Sequence, residues 1–196
     1  MDKLTVLKVG GAVTQNKLIL DKFLNNLTKI KGKKILVHGG GRELDLFLKK
    51  NNHPIKMLNG RRITDKKTLD YALMIYAGKI NKEIVAKLQS LKINSLGLCG
   101  ADANSVLCKL RTKNELDYGY VGDIVSINSG FFKLILENNI IPVCSSITYD
   151  KDGLLLNTNA DTIASEISSN MSKIYETQLW YCFEEKGVYQ SDNKKN

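Results

Sequence analysis

Leu4-Thr5-Val6-Leu7-Lys8-Val9 is a β-rich apolar run closed by Gly10-Gly11, and Ile35-Leu36-Val37-His38 is a second, closed by Gly39-Gly40-Gly41. Each reads as a buried strand ending in a glycine turn. Between them, from Leu18 to about Lys31, apolar residues at Leu20, Phe23, Leu24, Leu27 and Ile30 recur at helical spacing. Leu44, Leu46, Phe47 and Leu48 suit another helix after the second glycine cluster. A βαβα opening of this kind is the signature of an α/β fold, an open, mostly parallel sheet with helices on both faces.

Outward from that opening, Pro54 to Ile63 contains Asn59-Gly60, a strong hairpin signal. Asp65 to Leu91 reads as a long helix with Gly78 as a candidate interruption. Ser95 to Cys99 is a strand, and Val106 to Asp123, carrying Gly119 and Gly122, reads as a β-hairpin insertion. Phe131 to Glu137 is a helix and Ile140 to Ser145 a strand. Ile147 to Leu156 is a hairpin turning at Lys151-Asp152-Gly153, and Ala160 to about Ser169 is helical again. Gln178 to Phe183 is the last strand, ahead of Gly187 and a polar tail. A parallel strand is normally covered by a following helix, so this one lies on an edge or the chain stops inside a domain.

At 196 residues, 43% hydrophobic and 25% charged with only 2 Pro, the chain is an ordinary globular protein. No apolar run approaches the ~18–20 residues of a membrane span, and Lys8 with Gly10-Gly11 stands where a signal peptide needs an apolar stretch. The four cysteines form no C-x-x-C pair, which suits small hydrophobes in a reducing compartment. A cytoplasmic protein with no membrane partner is expected. The net charge is +9, yet the basic residues are almost all lysines spread along the chain, with Arg only at 42, 61, 62 and 111. That pattern suits solvated faces rather than a nucleic-acid partner, and its field helps collect anionic small molecules.

No P-loop, no G-x-G-x-x-G and no zinc-like His or Cys spacing is present, so no metal ligand is expected. The chemistry rests on the two glycine clusters, at strand ends that face the ligand crevice of an open α/β sheet. Glycines let the backbone approach closely and aim N–H groups at an anion, aided by the following helix dipole. Gly10 and Gly11 are therefore candidate phosphate-binding residues. Lys8 alternates with Leu7 and Val9 in a strand that should be buried, where an unpaired Lys costs several kcal/mol. A cation two residues before a double glycine can neutralise a transferring phosphoryl group. His38 and His53 read as structural, and Trp180 and Tyr181 as packing.

Four motifs in register then resemble the amino-acid kinase superfamily and, within it, the N-acetylglutamate kinases. They are Lys8-Val9-Gly10-Gly11, Val37-His38-Gly39-Gly40-Gly41, Asn59-Gly60-Arg61-Arg62-Ile63-Thr64 and Asn157-Thr158-Asn159-Ala160-Asp161, with order and spacing holding from residue 4 to about 188. The resemblance implies the amino-acid kinase fold, with β-hairpins over the substrate site. It implies phosphorylation of the side-chain carboxylate of N-acetyl-L-glutamate, or another N-acyl-glutamate, by ATP with nucleotide-borne Mg2+, the second step of arginine biosynthesis. Lys8 would stabilise the transition state and Asp161 would orient it, as the catalytic pair. Gly40 and Gly41 would offer N–H groups, Arg62 rather than Arg61 would clamp the substrate α-carboxylate, and Asn157 would bind substrate. A homodimer built across the N-terminal half is implied as well.

Residues 1–174 would then be the acylglutamate-binding and dimerisation domain. Residues 175–196 would be the opening of the nucleotide-binding domain, without most of the adenine and ribose pocket or a second catalytic lysine. With three residues before Leu4, no arginine-sensing N-terminal helix is expected. The alternative function is a non-catalytic acylglutamate-binding remnant, or one subunit of a split enzyme.

Overall fold

The computed structural model describes residues 1–58, 60–112 and 117–183. Its centre is a five-stranded parallel sheet in the order β11-β1-β2-β8-β5. These strands are β1 (Lys3–Val9), β2 (Lys33–His38), β5 (Ser95–Leu98), β8 (Ile141–Cys144) and β11 (Glu176–Cys182). Alternation along β1 and β2 feeds two cores. Leu4, Val6, Ile35 and Val37 pack on α6 (Ser129–Glu137) and α7 (Ala160–Met171), through Phe132, Ile163 and Ile167. Leu7, Val9 and Leu36 face the other way, onto Leu24 of α2 (Lys17–Leu27), Leu44 and Leu48 of α3 (Gly41–Lys50) and a long helix from Lys66 to Ser90. Burial on both faces explains why these strands read as near-continuous apolar runs.

The long helix does not break at Gly78. It runs as α4 (Lys66–Ala72), a π-helical segment (Leu73–Ile80) and α5 (Asn81–Ser90). Asn81 N–H reaches back to the Tyr76 carbonyl, five residues away, the widened turn that defines a π-bulge. The helix expected from Leu18 to about Lys31 is also shorter than its periodicity suggests, because Thr28 closes α2 with its N–H on the Asn26 carbonyl.

A second sheet, in the order β10-β9-β6-β7, sits beside the first. It joins β6 (Val106–Leu110) and β7 (Gly122–Ile127) to β9 (Ile147–Tyr149) and β10 (Leu155–Asn157), so both expected hairpins form. A third pair, β3 (Met57–Leu58) with β4 (Arg61–Arg62), turns through Gly60 at φ +72. Asn59, residues 113–116, Gly187 and the tail lie outside the described residues. The short α1 (Gly11–Gln15) follows β1 directly.

β11 is an edge strand among the described residues, in register with β1 from Lys3↔Glu176 to Val9↔Cys182. The edge position leaves Trp180 42% and Tyr181 45% exposed, so among the described residues neither is the packing residue that its ring suggests. Leu179 and Cys182 carry the packing instead. No helix among the described residues is long and apolar enough to cross a membrane.

Candidate active site

β1 and β2 end side by side, with Lys8 opposite Val37 and Val9 opposite His38. The glycines that follow open a cleft of about 240 Å³ at these strand ends. Lys8, Gly11, Gly40, Gly41, Arg62, Asn157 and Asp161 all line it. Gly10 does not; its N–H donates to the Cys182 carbonyl at 3.0 Å, extending the β1–β11 pairing by one bond.

Alternation puts Lys8 on the face of Leu4 and Val6, where α7 packs. That helix starts at the cleft because Asn159 caps it, its Oδ1 accepting from the Asp161 and Thr162 N–H groups at 2.7 and 3.1 Å. Asp161, in the first turn, is favoured there by the helix dipole. It also meets Lys8, Nζ to Oδ1 at 2.9 Å, and this pairing resolves the cost of a lysine in a buried strand.

Gly39-Gly40-Gly41 joins β2 to α3. A Cβ on Gly40 would stand 2.5 Å from Tyr76 Cδ1 and 2.6 Å from Ile80 Cδ1, so the π-helical segment presses against bare backbone. Gly40 and Gly41 open α3 without a side-chain cap, which leaves first-turn N–H groups for another acceptor. Beneath the loop His38 is wholly buried, and burial pushes its pKa down to about 4. As the neutral tautomer, its Nδ1–H donates to the Gly39 carbonyl at 2.9 Å while Nε2 accepts from Asn81 Nδ2 at 3.0 Å. Asn81 Nδ2 also donates to the Val143 carbonyl at 2.8 Å, tying loop, helix and β8 together.

Arg62 enters the cleft from β4 with its side chain only 9% exposed, whereas Arg61 is exposed. Its Nη2 donates to Asp45 Oδ1 at 2.6 Å and, more weakly, to the Gly41 carbonyl at 3.4 Å. Its Nη1 is buried with no hydrogen-bond partner. Burial pushes the neighbouring Tyr76 hydroxyl up to about 12, against the pull of the Arg62 cation. Asn157 Nδ2 donates to Thr64 Oγ1 at 3.0 Å, and its backbone N–H bonds the Tyr120 carbonyl.

Asp45, Tyr76 and Asn81 carry no motif of their own and were not singled out from the sequence, and Thr64 stood in the Arg62 motif without a role. For Asp45 a signal existed: it stands four residues after Gly41, on the same face of a helix that starts at the glycine loop. A larger cavity of about 590 Å³ lies at the opposite ends of the strands, among Lys3, Lys33, Lys34 and Lys92. Lysines there are already spent on backbone, Lys33 Nζ on the Leu136 carbonyl at 3.0 Å and Lys34 Nζ on Gly32 at 2.9 Å. The smaller cleft, with its cations, its capless helix and an Arg62 Nη1 without a partner, is the one built to receive an anion.

The profile of the amino acid kinase family matches residues 3–196. The acetylglutamate kinase of Parabacteroides distasonis is 45% identical over 193 residues, covering 98% of this chain and 76% of that protein. Among solved structures, smu.665 of Streptococcus mutans superposes with a TM-score of 0.76 at 28% identity, over 86% of this chain and 69% of that one. An N-acetylglutamate synthase of Neisseria gonorrhoeae, solved with coenzyme A and N-acetyl-glutamate, reaches 0.80 at 18% identity, over 96% of this chain and 43% of that one. At that identity the likeness concerns the fold alone.

Proposed function

We propose that this chain, which belongs to the amino acid kinase family and within it to the acetylglutamate kinases, transfers a phosphoryl group from ATP to the side-chain carboxylate of N-acetyl-L-glutamate. The observation that carries this reading is the convergence of Lys8, the uncapped Gly40-Gly41 helix start and the buried, unpartnered Arg62 Nη1 on one cleft. Two anionic groups are accommodated by such a site, a carboxylate at Arg62 and phosphoryl oxygens at Lys8.

In this proposal Arg62 takes the α-carboxylate, for which a planar two-pronged donor is suited. Asn157 and the Gly40 and Gly41 N–H groups hold the rest of the amino acid. The side-chain carboxylate is already ionised at neutral pH and needs no general base. One of its oxygens bonds to the terminal phosphorus of ATP as the P–O bond to ADP breaks, giving N-acetylglutamyl 5-phosphate and ADP. Catalysis is then positioning and charge neutralisation. Lys8 neutralises the transferring oxygens, Asp161 keeps the Lys8 ammonium in place, and Gly11 brings backbone N–H to the phosphoryl group. Gly10 contributes through the turn it makes, its own N–H being held by Cys182. Magnesium would enter with the nucleotide phosphates, whose oxygens are the hard ligands it favours. A cytoplasmic homodimer completes the reading, and the four unpaired cysteines suit a reducing compartment.

The test is calorimetric titration of the chain with N-acetyl-L-glutamate and, separately, with a magnesium–ATP analogue. Binding of the acylglutamate that is lost in Arg62→Ala supports the substrate site; binding that survives the substitution sinks it. Where turnover is measurable, Lys8→Ala should lower it by a factor of roughly 100–1000, as expected for one transition-state donor.

A further inference from the structure

The structure assigns a task to a residue outside the four motifs: we propose that Asp45 is the positioning residue that aims Arg62 at the substrate carboxylate. This rests on the reading that Arg62 is the carboxylate clamp. Asp45 lies on α3, and its Oδ1 receives Arg62 Nη2 at 2.6 Å. A second acceptor, the Gly41 carbonyl at 3.4 Å, falls on the same nitrogen, and the Tyr76 hydroxyl lies beside the guanidinium. The Asp45 and Gly41 contacts therefore hold one edge of a rigid planar group. The opposite nitrogen, Nη1, is left buried without a partner, on a side chain that is more than nine-tenths buried. A buried, unsatisfied charged donor is costly, and a bound carboxylate relieves that cost without either side chain turning over.

Asp45 could act in the opposite sense, as a built-in carboxylate that competes with the substrate for Arg62. The geometry favours positioning, because Asp45 occupies Nη2 and leaves Nη1, the atom that still lacks an acceptor, to the ligand. Competition predicts tighter binding when the Asp45 charge is removed, whereas positioning predicts weaker binding.

The experiment is titration of N-acetyl-L-glutamate into the unaltered chain, Asp45→Asn and Asp45→Glu, with the melting temperature of each. Asp45 is 37% exposed on its side chain, so both substitutions fit. Asn keeps the size and loses the charge; Glu keeps the charge and changes the size. Positioning by charge predicts about a tenfold or greater loss of affinity in Asp45→Asn, with Asp45→Glu retaining more of it. A packing role predicts the reverse order. Unchanged or tighter binding by Asp45→Asn, or Asp45→Glu binding no better than Asp45→Asn, overturns the proposal. No binding by the unaltered chain instead overturns the function on which it stands.

Discussion

Of three adjacent glycines, only Gly40 is pressed by a ring. A Cβ at Gly39 would meet nothing closer than Ala160 at 3.7 Å, and one at Gly41 nothing closer than Arg62 at 3.9 Å. At Gly40 it would collide with the Tyr76 ring at 2.5 Å, and overpacking of this kind costs about 1–3 kcal/mol. Gly40→Ala should therefore lower the melting temperature by several degrees, at roughly 2–4 °C per kcal/mol for a chain of this size. Gly41→Ala should lower it less, and scanning calorimetry of the two variants checks the order. The example also marks how far residues can be read from their letters. Lys8 and the glycine clusters are legible because they break a buried strand pattern. Which glycine is indispensable is decided by Tyr76, far along the chain, and the Asp45 contact to Arg62 arises only when a helix and a hairpin meet.

Helix positions were legible from periodicity, while helix ends and one helical form were not. α3, α5 and α6 close in the same way, with a left-handed residue, Asn52, Lys92 or Asn139, at φ 52, 60 and 56. In each, the next N–H returns to a carbonyl five residues back: His53 to Leu48, Ile93 to Leu88 and Ile140 to Ile135. Asn tolerates that conformation and glycine favours it, but a lysine is strained there. Lys92→Gly should stabilise the protein by roughly 0.5–1 kcal/mol after allowing for the entropy of glycine in the unfolded chain, a shift that urea unfolding can read. The π-helical segment is a different lesson. Gly78 hinted at a disturbance in the right place, but an apolar pattern records which residues are buried, not whether a turn holds three and a half residues or more. Tyr76 and Ile80, the two side chains that press on Gly40, both lie in this segment.

At the scale of the whole molecule, the sheet was legible because both its faces are buried, and β11 was legible as its last strand, whereas the exposure of Trp180 was not, because it depends on the strand's neighbours. The buried His38 links the molecule to pH. Its folded pKa of about 4 lies below the ordinary 6.5, so the unfolded chain binds the extra proton first. The contribution is complete above pH 6.5 and is lost as pH falls towards 4, by roughly 3 kcal/mol. Unfolding free energies at pH 7 and pH 4.5 should therefore differ less in His38→Gln than in the unaltered protein; an equal difference would remove His38 from the account. The pairing of β1 with β11 has a consequence in time. β1 meets β2 after a gap of about thirty residues but meets β11 only about 170 residues later. On a ribosome adding roughly 5–20 residues per second, one side of β1 waits on the order of ten to thirty seconds for its last neighbour. An open apolar strand edge invites wrong partners, and the only charges on this one are Lys3 and Lys8. The lysine proposed to serve the reaction is thus one of the two charges this edge carries before there is a site for it to serve.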